Sequence, residues 1–309
     1  MYDTIKIWLE RELFSNPVLL NNIPNYLSNV ERRLKLDNTN YITGNLKNFR
    51  VIVRYSGVTI SGSLSKYYLG NNFENLTIQD VKKAIKQLSL ELHAPISEAK
   101  ISRLDIGYCF IIKNNPEVYF NYLGNCQYFK RNVWSESLYY KNDIRTKVFY
   151  DKIVESKKKK NIIPVEWIGK NVLRYEYRLT QRVAKRLNRS ELKVSDLYNE
   201  KIHKQLFELY IKEYENITKI NTINFNLKEM KTPKDFWEWQ ALQNIENNGL
   251  DKTLELIDEM KSIGVFKNKN YYSRLKRELV ECYQKPKTSM KNSIISELDE
   301  KIKNLKNNY

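Results

Sequence analysis

Three cysteines, Cys109, Cys126 and Cys282, are too few and too scattered for a disulfide framework, and no spacing among them suggests a zinc site. A reducing cytoplasm is the setting they imply. Histidine is scarcer still: only His93 and His203 are present, far apart, so no paired-histidine motif can form within a short segment. Each reads as a surface or packing residue. No apolar run approaches the roughly 20 residues needed to span a bilayer. The opening Met-Tyr-Asp-Thr-Ile-Lys-Ile-Trp alternates as a strand from the start and lacks a signal-peptide pattern. The expectation is a soluble, cytoplasmic protein. Internal repeats and long low-complexity tracts are absent too.

Acidic residues are also in deficit. The 309 residues carry 53 Lys and Arg against 36 Asp and Glu, a formal charge of +17. Such a surplus favours a polyanionic partner, nucleic acid first and an anionic membrane surface second. The many Asn, Ile and Tyr residues fit an AT-rich genome, which supplies lysine for other reasons, so charge supports DNA binding without proving it. No basic amphipathic helix with a wide apolar face is present, which argues against the membrane. With 41% hydrophobic and 12% aromatic residues, the chain can bury a core.

Period-two alternation marks strands at 3–8, Phe49 to Tyr55, Val58 to Gly62, Ile101 to Ile112, Ser137 to Lys141, Arg145 to Tyr150 and Val172 to Leu179. Ser56-Gly57 and Asn142-Asp143 read as hairpin turns. Thr77 caps a helix over 78–92, in which Val81, Ile85, Leu88 and Leu92 recur at helical spacing. A short helix is expected through Val30-Glu31-Arg32-Arg33, and helices over 181–215. After about residue 216 the pattern turns wholly helical, over 234–248, 250–262 and 271–283. The expected fold class is therefore α+β: an antiparallel sheet with helices on one face in residues 1–215, then a small all-helical domain in 216–309.

Two strands concentrate the chemistry. In 101–112, Arg103, Asp105 and Gly107 share one face, opposite Leu104, Ile106, Tyr108 and Phe110. In 172–179, Arg174, Glu176 and Arg178 share a face opposite Leu173, Tyr175, Tyr177 and Leu179. Asp is a poor strand former and costly to bury without a partner, so a plain Arg–Asp pair and a functional site compete as explanations. If the strands are neighbours, Asp105 and Glu176 converge, and two close carboxylates call for a proton or a cation between them. Oxygen donors suit Mg²⁺ or Mn²⁺, and the arginines suit a phosphate. Between these strands lies Phe149-Tyr150-Asp151-Lys152. A tyrosine hydroxyl is a weak nucleophile at its ordinary pKa of about 10, and spacing alone does not select Tyr150 over Tyr139, Tyr140 or Tyr175.

The ordered set Arg103-Leu104-Asp105, Phe149-Tyr150-Asp151-Lys152 and Arg174-Tyr175-Glu176-Tyr177-Arg178 resembles the filamentous-phage gene-two/gene-X family of rolling-circle replication initiators. It is also similar to transposon- and plasmid-type initiators. The likeness extends to Met1-Tyr2-Asp3, Ile60-Ser61-Gly62 and Tyr68-Leu69-Gly70-Asn71-Asn72-Phe73, and covers roughly residues 1–200. It implies that Tyr150 attacks a DNA phosphate, forming a 5′-phosphotyrosine link and releasing a 3′-hydroxyl that primes a host polymerase. Asp105 and Glu176 then hold Mg²⁺ or Mn²⁺, with Asp3 a third candidate ligand. Lys152 and Arg103 neutralise the phosphate or steady the carboxylates. Many tyrosine nickases of this broad class bind metal through paired histidines, and this chain departs from that pattern, so its metal site must be mainly carboxylate.

DNA-backbone contacts are expected from Lys157, Lys158, Lys159 and Lys160, close behind Tyr150, and from Arg174 and Arg178. The run of lysines is otherwise a solvated face. Trp237 and Trp239 read as core residues of the helical domain, and the helix 271–283 with Arg274, Lys276 and Arg277 as a surface or groove-binding helix. The partners implied are origin DNA, single-stranded or supercoiled, a host helicase and polymerase, and a second copy in a homodimer. Competing readings are an initiator or regulator that binds DNA without cutting it, and a mobilisation relaxase.

Overall fold

A computed structural model describes residues 1–34, 40–220, 230–284 and 293–307. The chain forms two units, Met1–Phe120 with Asn125–Ile217, and Asn121–Gly124 with Thr218–Tyr309. In chain order the elements are β1 (Tyr2–Glu10), α1 (Pro17–Asn22), β2 (Ser28–Leu34), β3 (Asn40–Leu46), β4 (Phe49–Arg54), β5 (Gly57–Ser63), α2 (Leu64–Leu69) and α3 (Ile78–Leu92). There follow β6 (Lys100–Ile112), α4 (Pro116–Phe120), β7 (Leu123–Cys126), β8 (Lys130–Trp134), β9 (Ser137–Lys141), β10 (Arg145–Asp151), α5 (Lys152–Lys158) and β11 (Asn171–Leu179). The last are α6 (Glu200–Glu215), β12 (Ile217–Lys219), α7 (Pro233–Asn248), α8 (Leu250–Ser262), α9 (Asn270–Gln284) and α10 (Ser293–Asn307).

Ten strands make one antiparallel sheet in the order β2-β3-β4-β5-β1-β6-β11-β10-β9-β8, while β12 and β7 pair separately. The α+β class expected from the alternation is therefore what forms. The long strands β1 and β6 sit at the centre because their apolar faces are continuous: Ile5, Ile7 and Leu9 lie with Leu104, Ile106 and Tyr108, all buried. The same face of β11 and β10 carries an aromatic stack. Phe149 and Tyr175 lie parallel with ring centroids 4.4 Å apart, and Tyr210 of α6 packs on Tyr175 at 4.7 Å. The Tyr210 hydroxyl donates to the Tyr175 carbonyl at 3.2 Å, which satisfies the polar end of a buried ring.

A buried ionic hub ties α6 to this face. Glu213 pairs with Lys147 and Arg145 of β10, each at 2.8 Å, and with Arg186 at 3.0 Å. Lys147 is fully buried and also donates to the Glu213 carbonyl at 2.6 Å. A lysine is held inside an apolar face only with such partners.

Helix starts follow their caps. Thr77 and Asp80 form a capping box at α3, Asn199 caps α6, and Thr232 with Asp235 caps α7. Two expectations need correction. Val30-Glu31-Arg32-Arg33 belongs to the exposed edge strand β2, because β3 supplies its backbone partners. Residues 181–199 form two short 3-10 turns, Ala184–Leu187 and Val194–Tyr198, before α6 begins. In the second unit, Leu242 and Ile257 are buried within helices that the spacing indicates, and Leu298 and Ile302 of α10 are buried as well. Trp237 is not among them: it is 68% exposed.

Candidate active site

Register places the polar residues of four strands on one face. Asp105 of β6 lies opposite Arg178 of β11, Gly107 opposite Glu176, and Cys109 opposite Arg174. Across the next ladder Arg178 meets Thr146, Glu176 meets Val148 and Arg174 meets Tyr150. Across the third, Thr146 meets Lys141, Val148 meets Tyr139 and Tyr150 meets Ser137. The three short sequence motifs thus become adjacent rows on one surface, although they are far apart in the chain.

Guanidinium and carboxylate groups alternate through this surface. Arg103 grips Asp105 with two bonds, Nε to Oδ1 at 2.9 Å and Nη2 to Oδ2 at 2.6 Å. Arg178 donates to Glu176 Oε2 from Nε at 2.8 Å, with Asp105 Oδ2 4.0 Å away on its other side. Arg174 donates to Glu176 Oε1 at 2.7 Å, to Asp3 Oδ2 at 2.8 Å and to the Asn72 carbonyl at 2.7 Å. Ser63 and Asn72 complete the hydrogen bonding of Asp3. The Tyr150 hydroxyl donates to Glu176 Oε1 at 2.6 Å.

Gly107 is what lets these groups meet. A Cβ at 107 would stand 2.8 Å from Glu176 Cγ and 3.0 Å from Arg174 Nη2. The missing side chain in the middle of the strand is therefore the space that Glu176 and Arg174 occupy.

The environment separates the two carboxylates. Burial pushes Asp105 up to about 6, against the opposing pull of Arg103. Burial pushes Glu176 the same way, but Arg178, Arg174 and the Tyr150 hydroxyl outweigh it and hold the group well below the usual carboxylate range. Burial and the Glu176 charge raise Tyr150 well above its ordinary value. Glu176 thus stays ionised as an acceptor, and Tyr150 stays protonated as its donor.

A family model for the N-terminal region of the phage gene II replication-associated protein matches residues 1–201. The chain belongs to that family. No curated protein is similar enough to be counted as a relative. Membership makes this gene II family protein a phage replication initiator of the rolling-circle kind, and DNA binding follows from that role. Among the described residues no helix is long and apolar enough to cross a membrane.

The arrangement sorts the residues singled out from sequence. Asp3, Arg103, Asp105, Tyr150, Arg174, Glu176 and Arg178 come together. Two roles need correction. Arg174 is 2% exposed and fully engaged by Asp3, Glu176 and Asn72, so it positions the cluster and cannot track a DNA backbone. Lys152 is fully buried, pairs with Glu155 at 2.8 Å and lies 5.2 Å from the Phe73 ring centroid and 5.9 Å from that of Tyr150, so it backs the tyrosine from inside the fold and is no exposed phosphate ligand. All four lysines of the run 157–160 are exposed; Lys158 pairs with Glu136 and Lys159 with Glu155.

Asp105, Glu176 and Asp3 do not fit a divalent ion as they stand. Among the described residues no three His, Cys, Asp or Glu side chains form a group able to hold one. Arg178 lies between Asp105 and Glu176, and three guanidinium charges already balance the three carboxylates. A further cation would meet a neutral cluster whose oxygens are taken.

Neither histidine is drawn in. His203 is buried against Tyr2, whose hydroxyl lies 3.0 Å from His203 Nδ1, and burial lowers it to about 4. His93 ends α3 in the left-handed conformation and packs on Tyr26. Reading by sequence missed Ser63 and Asn72 as partners of Asp3; Asn72 lay within a motif already noted, whereas Ser63 gave no signal. It also missed the surface over β8 and β9, where Trp134 and Tyr139 line a cavity of about 590 Å³ with Arg178.

Proposed function

We propose that this protein nicks and rejoins one strand of origin DNA by transesterification through Tyr150. The observation that carries the reading is the 2.6 Å hydrogen bond from the Tyr150 hydroxyl to Glu176, on a face where Arg103 and Arg178 stay partly exposed. A nucleophile bonded to a fixed acceptor, beside cations suited to a phosphate, is the arrangement such chemistry uses.

In the reaction, Tyr150 Oη attacks the phosphorus in line with the departing 3′-oxygen. The new bond joins phosphorus to the tyrosine oxygen, and the bond that breaks joins phosphorus to O3′. Glu176 Oε1 orients the phenol by accepting its proton in a hydrogen bond. Because Arg178 and Arg174 keep Glu176 weakly basic, it does not retain the proton: solvent water takes it as the Tyr150 oxygen bonds to phosphorus, and the departing 3′-oxygen takes a proton from water and ends as a hydroxyl. Arg178 and Arg103 offset the charge that builds on the phosphate. Phosphodiester energy is kept in the phosphotyrosine link, so the 3′-hydroxyl can attack it and rejoin the strand.

The test is a covalent-adduct assay on single-stranded origin DNA, scored as a shifted band that survives SDS. Wild type is expected to give the band and Tyr150→Phe to lose it. A band that persists moves the nucleophile to Tyr139, which shares this face and lines the neighbouring cavity. No band from any origin strand, with DNA binding intact, means an initiator that binds without cutting.

A further inference from the structure

The polar face continues past Tyr150 onto strands that the nicking chemistry does not use. Antiparallel partners share a face, so Asn132 and Trp134 of β8, opposite Tyr139 and Ser137, join the same surface. Together with Lys141 and Arg178 they bound the cavity of about 590 Å³, within the range of roughly 300–1,000 Å³ usual for ligand sites. Three features point to its occupant.

Trp134 is 65% exposed, an apolar ring left in water at the rim of a concave surface. Lys130 and Lys141 stand directly opposite each other across β8 and β9, and neither pairs with a carboxylate among the described residues. Like charges in that position are destabilising, and an anion between them removes the penalty. The acidic residue of the cavity, Glu136, is already offset by Lys158. An exposed ring flanked by unmatched cations suits a polyanion with free aromatic faces. Single-stranded DNA has both properties, whereas a duplex covers its base faces.

We propose that this cavity is a subsite for single-stranded DNA, with one base stacked on Trp134 and the backbone running along Lys141 and Arg178 toward Tyr150. The inference deepens the nicking reading, since it supplies the path by which the strand reaches the tyrosine. Stacking on Trp134 needs an unpaired base, so the subsite admits the strand only where the origin has opened.

The experiment uses the full chain carrying Tyr150→Phe, which prevents covalent capture. Fluorescence anisotropy is recorded with labelled oligothymidylate and with a duplex of equal length. Trp134→Ala is expected to weaken single-strand binding by about 5- to 150-fold, the loss of one stacked base. Trp134→Phe restores most of it, and duplex binding stays within about twofold. Trp237→Ala, removing an equally exposed ring on α7, leaves both unchanged. Lys141→Ala lowers the slope of log affinity against log salt by about 0.7 on the single strand. Single-strand affinity within twofold of the parent in Trp134→Ala, or an equal loss on duplex, overturns the proposal. Trp134-dependent binding without an adduct in the nicking assay keeps the subsite and removes the nicking; an adduct without Trp134 dependence does the reverse.

Discussion

Substituting Gly107 by alanine tests whether the packing of the charged cluster is what builds the site. The added Cβ meets Glu176 Cγ at 2.8 Å and Arg174 Nη2 at 3.0 Å. Neither neighbour has room to retreat, because Arg174 is tied to Asp3 and Asn72 while Glu176 is tied to Arg178 and Tyr150. Gly107 is not among the positive-φ positions, so backbone strain adds nothing. Overpacking of this kind costs roughly 1–3 kcal/mol. For a unit of this size each kcal/mol lowers Tm by roughly 2–4 °C, so a fall of about 2–12 °C is expected. Displacing Glu176 also misaligns Tyr150, and a shift near 1 Å can cost on the order of 100-fold in rate. The assay pairs a thermal melt by circular dichroism with the adduct yield below the melt. Gly44→Ala is the control: its Cβ meets Leu27 Cβ at 2.8 Å, far along the sheet from Tyr150, so it can lower Tm but should spare the adduct. A Gly107→Ala protein with wild-type Tm and wild-type adduct yield would refute the reasoning.

The hub on the other face should behave as a unit. Glu213→Leu leaves buried Lys147 without its carboxylate and should cost roughly 3–5 kcal/mol in urea unfolding; adding Lys147→Met should recover part of that loss, and strict additivity would contradict it. Asp105 gives a pH signature: its folded value of about 6 lies above its unfolded value of 3.8, so its contribution is full below 3.8 and lost as pH rises through 6. The stability advantage of wild type over Asp105→Asn should therefore shrink from pH 4 to pH 6; an advantage that grows over that range is the adverse result. Glu176 has the opposite sign, and its contribution is lost as pH falls below its unfolded value of 4.5. Without DNA, the protein should leave the electron paramagnetic resonance signal of free Mn²⁺ undiminished; a loss of signal that Asp105→Asn abolishes would show that the carboxylates release their arginines to a metal.

Much of the site was legible in the chain because strands write their faces at period two. Alternation in 101–112 and 172–179 separated the charged residues from the apolar ones, and the observed ladders keep that separation. Helices α7, α8 and α9 of the second unit were readable from apolar spacing, although that spacing put the exposed Trp237 in the core. β2 was not, since an edge strand owes its conformation to a neighbour and carries no buried face of its own.

Residue types, their order and their faces were thus determined by the sequence itself, through local sterics and the segregation of apolar from polar side chains. What a charged residue does was decided only by tertiary structure. Arg174 meets Asp3 across 171 positions of chain, and that meeting turns an expected phosphate ligand into the buried brace of the cluster. Lys147 and Lys152 look like surface cations in the chain, yet both are buried. The carboxylates of Asp3, Asp105 and Glu176 all meet guanidinium partners. The physical reason is common to all: burial and pairing are set by groups brought together from distant segments, and in a low-dielectric interior those partners settle charge, access and reactivity.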